Sequence, residues 1–160
     1  MKQAVQQNQF LLGYAKNLTD DLPDERWTEQ PFPGINHPAW IIGHLANTAD
    51  SGVTMVGGQK AGKPEWANLF KGGTTVTSDR SAYPSKEELL NWFNGQYETL
   101  QKLSLAATEE RLNAPNIHPR LKTLMPTNRE VITFLLSSHL AIHLGQLSMW
   151  RRLIGLPPLF

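Results

Sequence analysis

Apolar residues recur along most of this chain at the three-to-four-residue spacing of a helix buried on one face. Val5, Phe10, Leu11, Tyr14 and Leu18 fall near that spacing and predict a first helix from about Lys2 to Leu18, with a break at Pro23. A second apolar stretch opens at Asn36-His37-Pro38. Proline suits the first helical position, where its missing N–H costs nothing, and Asn36 or His37 serves as the cap. This helix should end before Gly57-Gly58. Ser85-Lys86-Glu87-Glu88 is a capping box that opens a third helix, with Leu89, Leu90, Trp92, Phe93, Tyr97 and Leu100 as its apolar face. Thr127-Asn128-Arg129-Glu130 repeats the device directly after Pro126 and opens a fourth. Gly155, Pro157 and Pro158 stop that helix, and Arg151 and Arg152 sit favourably in its last turn.

No stretch shows convincing period-two alternation, and Thr74-Thr75-Val76-Thr77 is too short and isolated to build a sheet. The pattern predicts an all-α chain, a single domain over residues 1–160 folded as an antiparallel four-helix bundle. The connection between helices two and three, from Gly57 to Pro84, is unusually long for such a bundle. Connections of that length are surface loops or lids over a site, and both readings stay open here. Its glycines match no phosphate cradle and signify turns.

Composition narrows the function. The chain has 160 residues, with 15 Lys plus Arg against 14 Asp plus Glu, so it carries no electrostatic footprint for nucleic acid or an anionic membrane. Cysteine is absent, which excludes disulfides, thiolate metal ligands and a cysteine nucleophile together. Histidine and carboxylate are left as the strong metal ligands. The polar start, Met1-Lys2-Gln3-Ala4-Val5-Gln6-Gln7-Asn8, lacks a secretory apolar core, and no apolar run reaches membrane-spanning length. The expectation is a soluble, cytoplasmic protein.

His139 and His143 stand four positions apart in the fourth helix, one turn apart on one face, where their ring nitrogens can converge on one ion. Ideal helical phase puts them on a stripe with Ile132, Leu135, Leu136, Gln146 and Trp150, in the middle of the core-facing side. An unpartnered polar group there is costly. His44 lies inside the second apolar helix, on a stripe with Trp40, Ile41, Asn47, Thr48 and Ser51. Three histidines on two apolar faces favour a metal site with an open position over ordinary core hydrogen bonding. Asn47 and Gln146, each about one turn beyond a histidine, are placed to orient a ligand or a bound water. His37 reads as a helix-start residue, His118 as a loop residue, and Asp50 lies off the stripe and reads as solvated. Small residues Ser137, Ala141, Gly145 and Ser148 line the opposite side of the fourth helix, where a neighbouring helix or a second subunit of a homodimer could approach closely.

These elements together resemble the DinB-like superfamily of small metal-binding four-helix bundles. The resemblance spans nearly the whole chain and is carried by Gly43-His44-Leu45, by His139-Leu140-Ala141-Ile142-His143-Leu144-Gly145-Gln146, by Trp40, and by the Gly155-Leu156-Pro157-Pro158 end. It implies that His44, His139 and His143 bind a divalent metal, zinc or nickel most often. Some members are similar to S-transferases that use low-molecular-weight thiols such as bacillithiol or mycothiol. Many others are classed as metal-dependent hydrolases without an established activity.

Three neutral imidazoles would leave a divalent ion with net positive charge and an exchangeable position, able to acidify bound water or a bound thiol. No Glu stands between His139 and His143, so this is not the His-Glu-x-x-His arrangement of zinc proteases. Glu87, Glu88 and Glu130 are accounted for as helix-start residues, and no catalytic base is identified. The expectation is therefore a metal-dependent transfer of a small thiol to an electrophile. Hydrolysis of a small ester or amide, and a non-catalytic metal- or ligand-binding module, are the alternatives.

Overall fold

Each start signal in the sequence marks a helix in the computed structural model, which describes residues 1–159. Four helices are long: α1 (Lys2–Thr19), α2 (Pro38–Met55), α4 (Lys86–Ala106) and α6 (Asn128–Leu153). Two are short, α3 (Pro64–Leu69) and α5 (Glu109–Asn113), and single 3-10 turns occur at Asp24–Arg26 and Arg80–Ala82. Among the described residues there is no strand, only an isolated bridge between Pro115 and Thr127.

The caps are formed by the residues that the sequence marks. His37 takes the cap of α2, its Nδ1 accepting from the backbone N–H of Trp40 at 3.2 Å. At α4, Ser85 Oγ accepts from Glu88 N while Glu88 accepts from Ser85 N at 3.1 Å. Glu130 accepts from Thr127 N at 2.8 Å at the start of α6. Each bond occupies a donor that the first helical turn would otherwise leave without a partner.

Helix α2 is central. Ile41, Ile42, Leu45, Ala46, Ala49 and Val53 are fully buried around its whole circumference, as expected for a helix with neighbours on every side. It packs most extensively on α4 and also against α6, while α1 lies along α6. Arg151 fixes that last pairing from a buried position, donating to the Asp21 carboxylate and to Leu18 O at 3.0 Å. The same guanidinium holds the Asp21 carboxyl below its usual pKa.

By length and composition α6 is apolar enough to cross a membrane, with a mean hydropathy of 1.3 over its most apolar window. It is longer than the uninterrupted apolar runs on which the expectation of no spanning segment rests. In this fold it is a core helix, with Leu136, Leu140, Leu144, Leu147 and Trp150 fully buried against its neighbours.

One turn of α6, Leu135–His139, is π-helical. The extra residue advances the helical phase by about 100°. Before it the buried face runs through Val131, Ile132 and Leu135; after it, through Leu140, Leu144 and Leu147. The carbonyls it displaces find side-chain donors. Asn8, fully buried on α1, donates to Leu136 O at 2.8 Å, and Tyr97 on α4 reaches Leu135 O at 3.5 Å. Gln101 completes Asn8 by donating to its Oδ1 at 2.7 Å.

The long connection between α2 and α4 folds back on α2. Asp50, which reads as solvated in the sequence, is 2% exposed. Its carboxylate accepts from Ala61 N, Gly62 N and Trp92 Nε1 at 3.0–3.2 Å, tying the start of the connection to α2 and α4. Phe70, also fully buried, lies directly over Gly43, where a side chain of any size would collide with its ring.

Candidate metal centre

Residues 70–72 of that connection wrap His44. Phe70 O stands 2.8 Å from His44 Nδ1, so Nδ1 carries the proton and donates, and Nε2 is left with a free lone pair. Trp40 stacks flat on the other side of the ring, with centroids 4.8 Å apart and planes 5° from parallel. Trp40 is held in turn by its indole N–H to Thr74 Oγ1 at 2.9 Å.

His143 is oriented by a similar device. Its Nδ1 stands 3.1 Å from Gln146 Oε1, a carbonyl that can only accept, so Nδ1 donates and Nε2 is free. The same oxygen accepts from Asn36 Nδ2 at 3.3 Å. His139, at the end of the π turn, rests against Phe134 with its Nε2 at 3.3 Å from His44 Nε2. Its Nδ1 is buried without a hydrogen-bond partner among the described residues.

The three imidazoles converge: one potential ligand nitrogen from each lies within 4.8 Å of the others. Burial lowers the pKa of all three, to about 4 for His143 and about 3 for His139, with their mutual repulsion adding to the effect at the latter two. They are neutral at physiological pH, the form that binds a metal. Two of them are already locked in the tautomer that offers Nε2. Opposed lone pairs on His44 and His139 need a proton or a cation between them, and the donor set of three neutral nitrogens suits a borderline divalent ion. The residues fit a metal.

Beside the cluster lies a cavity of about 560 Å³. Asn47, Thr48 and Ser51 of α2 form its polar wall, and Val131, Phe134 and Leu135 of α6 its apolar wall. Lys71 joins the lining from the connection between α2 and α4, and His118 and Arg120 from the one between α5 and α6. A larger concavity of about 690 Å³ between α1 and α6 is lined by Gln3, Gln6, Gln7, Phe10 and small residues of α6, with no ionisable side chain. The ionisable and metal-ligating side chains line the smaller one.

The histidines of α6 do not lie mid-core as ideal phase suggests. They are half-buried on its flank, because the π turn rotates the buried face onto Leu140, Leu144 and Leu147. Gln146 holds His143, whereas Asn47 lines the cavity and its side chain makes no hydrogen bond to a histidine among the described residues. His37 is buried at the α2 cap, with Nε2 donating to Thr77 O at 2.9 Å, and His118 lines the cavity outside the three-nitrogen group. Sequence reasoning missed Phe70, whose backbone orients His44. Gly43 was the available signal, since a glycine inside a helix marks a close approach.

No curated protein and no solved structure matches the chain significantly. A profile of the DinB superfamily matches residues 12–147, most of the chain and all three converging histidines. The chain belongs to the DinB superfamily.

Proposed function

We propose that the four long helices form an antiparallel bundle in which His44, His139 and His143 hold a divalent metal, zinc or nickel, and that the protein is an enzyme transferring a small thiol to an electrophile. When bound, the metal supplies a positive centre that lowers the pKa of a thiol or water at its open position. His44 and His143 present Nε2 because Phe70 O and Gln146 Oε1 take their other protons. Trp40 and Phe134 flank the cluster with aromatic surface and limit water around it.

The observation that carries the choice of reaction is the lining of the cavity. Among the described residues it contains no Asp or Glu. The one carboxylate buried on α2, Asp50, is committed to Ala61, Gly62 and Trp92. Hydrolysis needs a base to take a proton from water as it attacks, whereas a thiolate is already a nucleophile. A homodimer accompanies this reading: Ala141 and Gly145 are exposed on α6 next to Ile142 and Met149, both more than half exposed.

A thiol panel tests the function. Zinc- or nickel-loaded protein is mixed with each of several small thiols and 1-chloro-2,4-dinitrobenzene. The sulfur forms the new C–S bond, chloride leaves, and the thiol proton goes to buffer. Saturable, metal-dependent acceleration with at least one thiol, lost in His143→Ala, is expected. Rates equal to free metal with every thiol, alongside turnover of a nitrophenyl ester, would replace transfer with hydrolysis.

A further inference from the structure

The cavity beside the histidines is one-sided in charge. The whole chain balances 15 basic against 14 acidic residues, yet the lining includes Lys71 and Arg120 and, among the described residues, no acid. These two cations come from connections far apart in sequence, and each is placed by a built structure. Lys71 stands between Phe70, whose carbonyl holds His44, and Gly72, which packs against the His44 ring: a Cβ there would lie 3.8 Å from His44 Cε1. Arg120 belongs to a turn closed by Asn116, which is 4% exposed, donates from Nδ2 to Met125 O at 2.8 Å and accepts from His118 N at 2.9 Å. The Arg120 backbone N–H then donates to His118 Nδ1 at 3.3 Å. Neither the Lys71 ammonium nor the Arg120 guanidinium makes an ion pair or a side-chain hydrogen bond among the described residues. Both residues line the cavity, both are exposed, and neither charge is neutralised by an acid of the chain among the described residues.

We infer that the cavity takes a small organic anion, a molecule with a metal-seeking group at one end and an oxyanion, carboxylate or phosphate monoester, at the other, the latter held by Lys71 and Arg120. The middle of such a molecule would lie between Asn47, Thr48 and Ser51 on one wall and Val131, Phe134 and Leu135 on the other. A guanidinium paired with an ammonium is a standard oxyanion receptor, the first through its planar fork and the second as a point charge. This inference rests on the metal reading above and deepens it by naming the substrate's charge.

The test is calorimetric binding to zinc-loaded full-length protein, with zinc content measured in the same samples. Three thiols share one metal-seeking end: 3-mercaptopropionate, neutral 3-mercapto-1-propanol, and the phosphate monoester of that alcohol. At least one anion should bind about tenfold tighter than the neutral thiol, and the tighter one names the class. Lys71→Gln/Arg120→Gln, two exposed substitutions, should erase that preference and leave the neutral thiol's affinity unchanged. Raising the salt concentration should shrink it, because both cations are exposed. Equal binding of charged and neutral thiols, or a preference that survives the double substitution, overturns the anion inference and leaves the metal and thiol reading standing. If no thiol binds, 3-hydroxypropionate against 1,3-propanediol still reads the charge preference while the thiol reading falls. Zinc that is not retained at all overturns both.

Discussion

Gly43→Ala tests the link between packing and the metal centre, because one methyl group acts on both. A Cβ at residue 43 would fall inside the Phe70 ring, with Cζ at only 2.5 Å, and nothing shorter than about 3 Å is tolerated. Phe70 is fully buried and cannot swing into solvent, so its ring and backbone must shift together. Overpacking of this kind costs about 1–3 kcal/mol. Displacing Phe70 O also loosens the 2.8 Å bond to His44 Nδ1, worth about 1 kcal/mol, so the loss of stability should total roughly 2–4 kcal/mol. The metal should suffer separately, since removing a partner that orients a ligating imidazole typically costs about 10–100-fold in affinity. Urea denaturation reads the first quantity, and competition with a chelator reads the second. Gly95→Ala is the control. Nothing lies within 4 Å of its added Cβ, so it should stabilise α4 by about 0.5–1 kcal/mol and leave metal affinity alone. Adding Phe70→Leu to Gly43→Ala makes room while keeping the carbonyl, and should recover most of the affinity. Unchanged affinity in a folded Gly43→Ala protein would refute the claim that Phe70 sets the orientation of His44.

Three further outcomes follow from the same contacts. His143→Ala should lose stoichiometric metal on dialysis while His118→Ala keeps it, and equal retention by elemental analysis would move the site away from the three-histidine cluster. Asn8→Ala leaves the Leu136 carbonyl and the Gln101 amide without their partner, and should cost about 2–4 kcal/mol in urea; a change below about 0.5 kcal/mol would mean the π turn needs no support from α1. The metal-free protein should weaken in mild acid partly through His37, whose pKa burial lowers from 6.5 to about 4. Below pH 6.5 the unfolded chain takes a proton that the folded chain refuses, so this contribution is intact above pH 6.5 and falls away towards pH 4, by at most about 3 kcal/mol. The metal-free ligand histidines shift the same way, so the readout is the difference from His37→Asn, which keeps a cap acceptor and should flatten the acid slope by one proton. Parallel slopes in the two proteins would exclude His37 as a source.

Much of the scaffold is legible in the sequence because its signals are local. Ser85 with Glu88, Thr127 with Glu130 and the proline after His37 each act within one helical turn, and each opens the helix it announces. The convergence of His44 with His139 and His143 is legible for a different reason: a polar group recurring on apolar faces is expensive unless something binds it. What the sequence does not show depends on contacts between distant segments. No periodicity reveals that Asn8 and Tyr97 accommodate a π turn 128 and 38 residues further on, so ideal phase puts the α6 histidines mid-core when they lie on its flank. Asp50 looks solvated for the same reason, since its partners are amides of a connection with no pattern of its own.

That connection matters more to the centre than its composition suggests. It touches α2 at four levels: Asp50 with Ala61 and Gly62, Gly43 with Phe70, Trp40 with Thr74, and His37 with Thr77. These contacts follow α2 from its fourth turn back to its cap while the connection runs forwards, so the segment lies along the helix in the reverse direction. Two of the four meet the side chains around the centre directly, Phe70 O on His44 and Thr74 on the tryptophan stacked over it. These contacts describe a connection laid along α2 with one stretch at the edge of the cavity. It is fixed along α2, it carries Lys71 to the cavity, and it sets the tautomer of a histidine in the cluster. The long helices alone would supply three histidines; the irregular segment turns His44 so that its free nitrogen faces the other two.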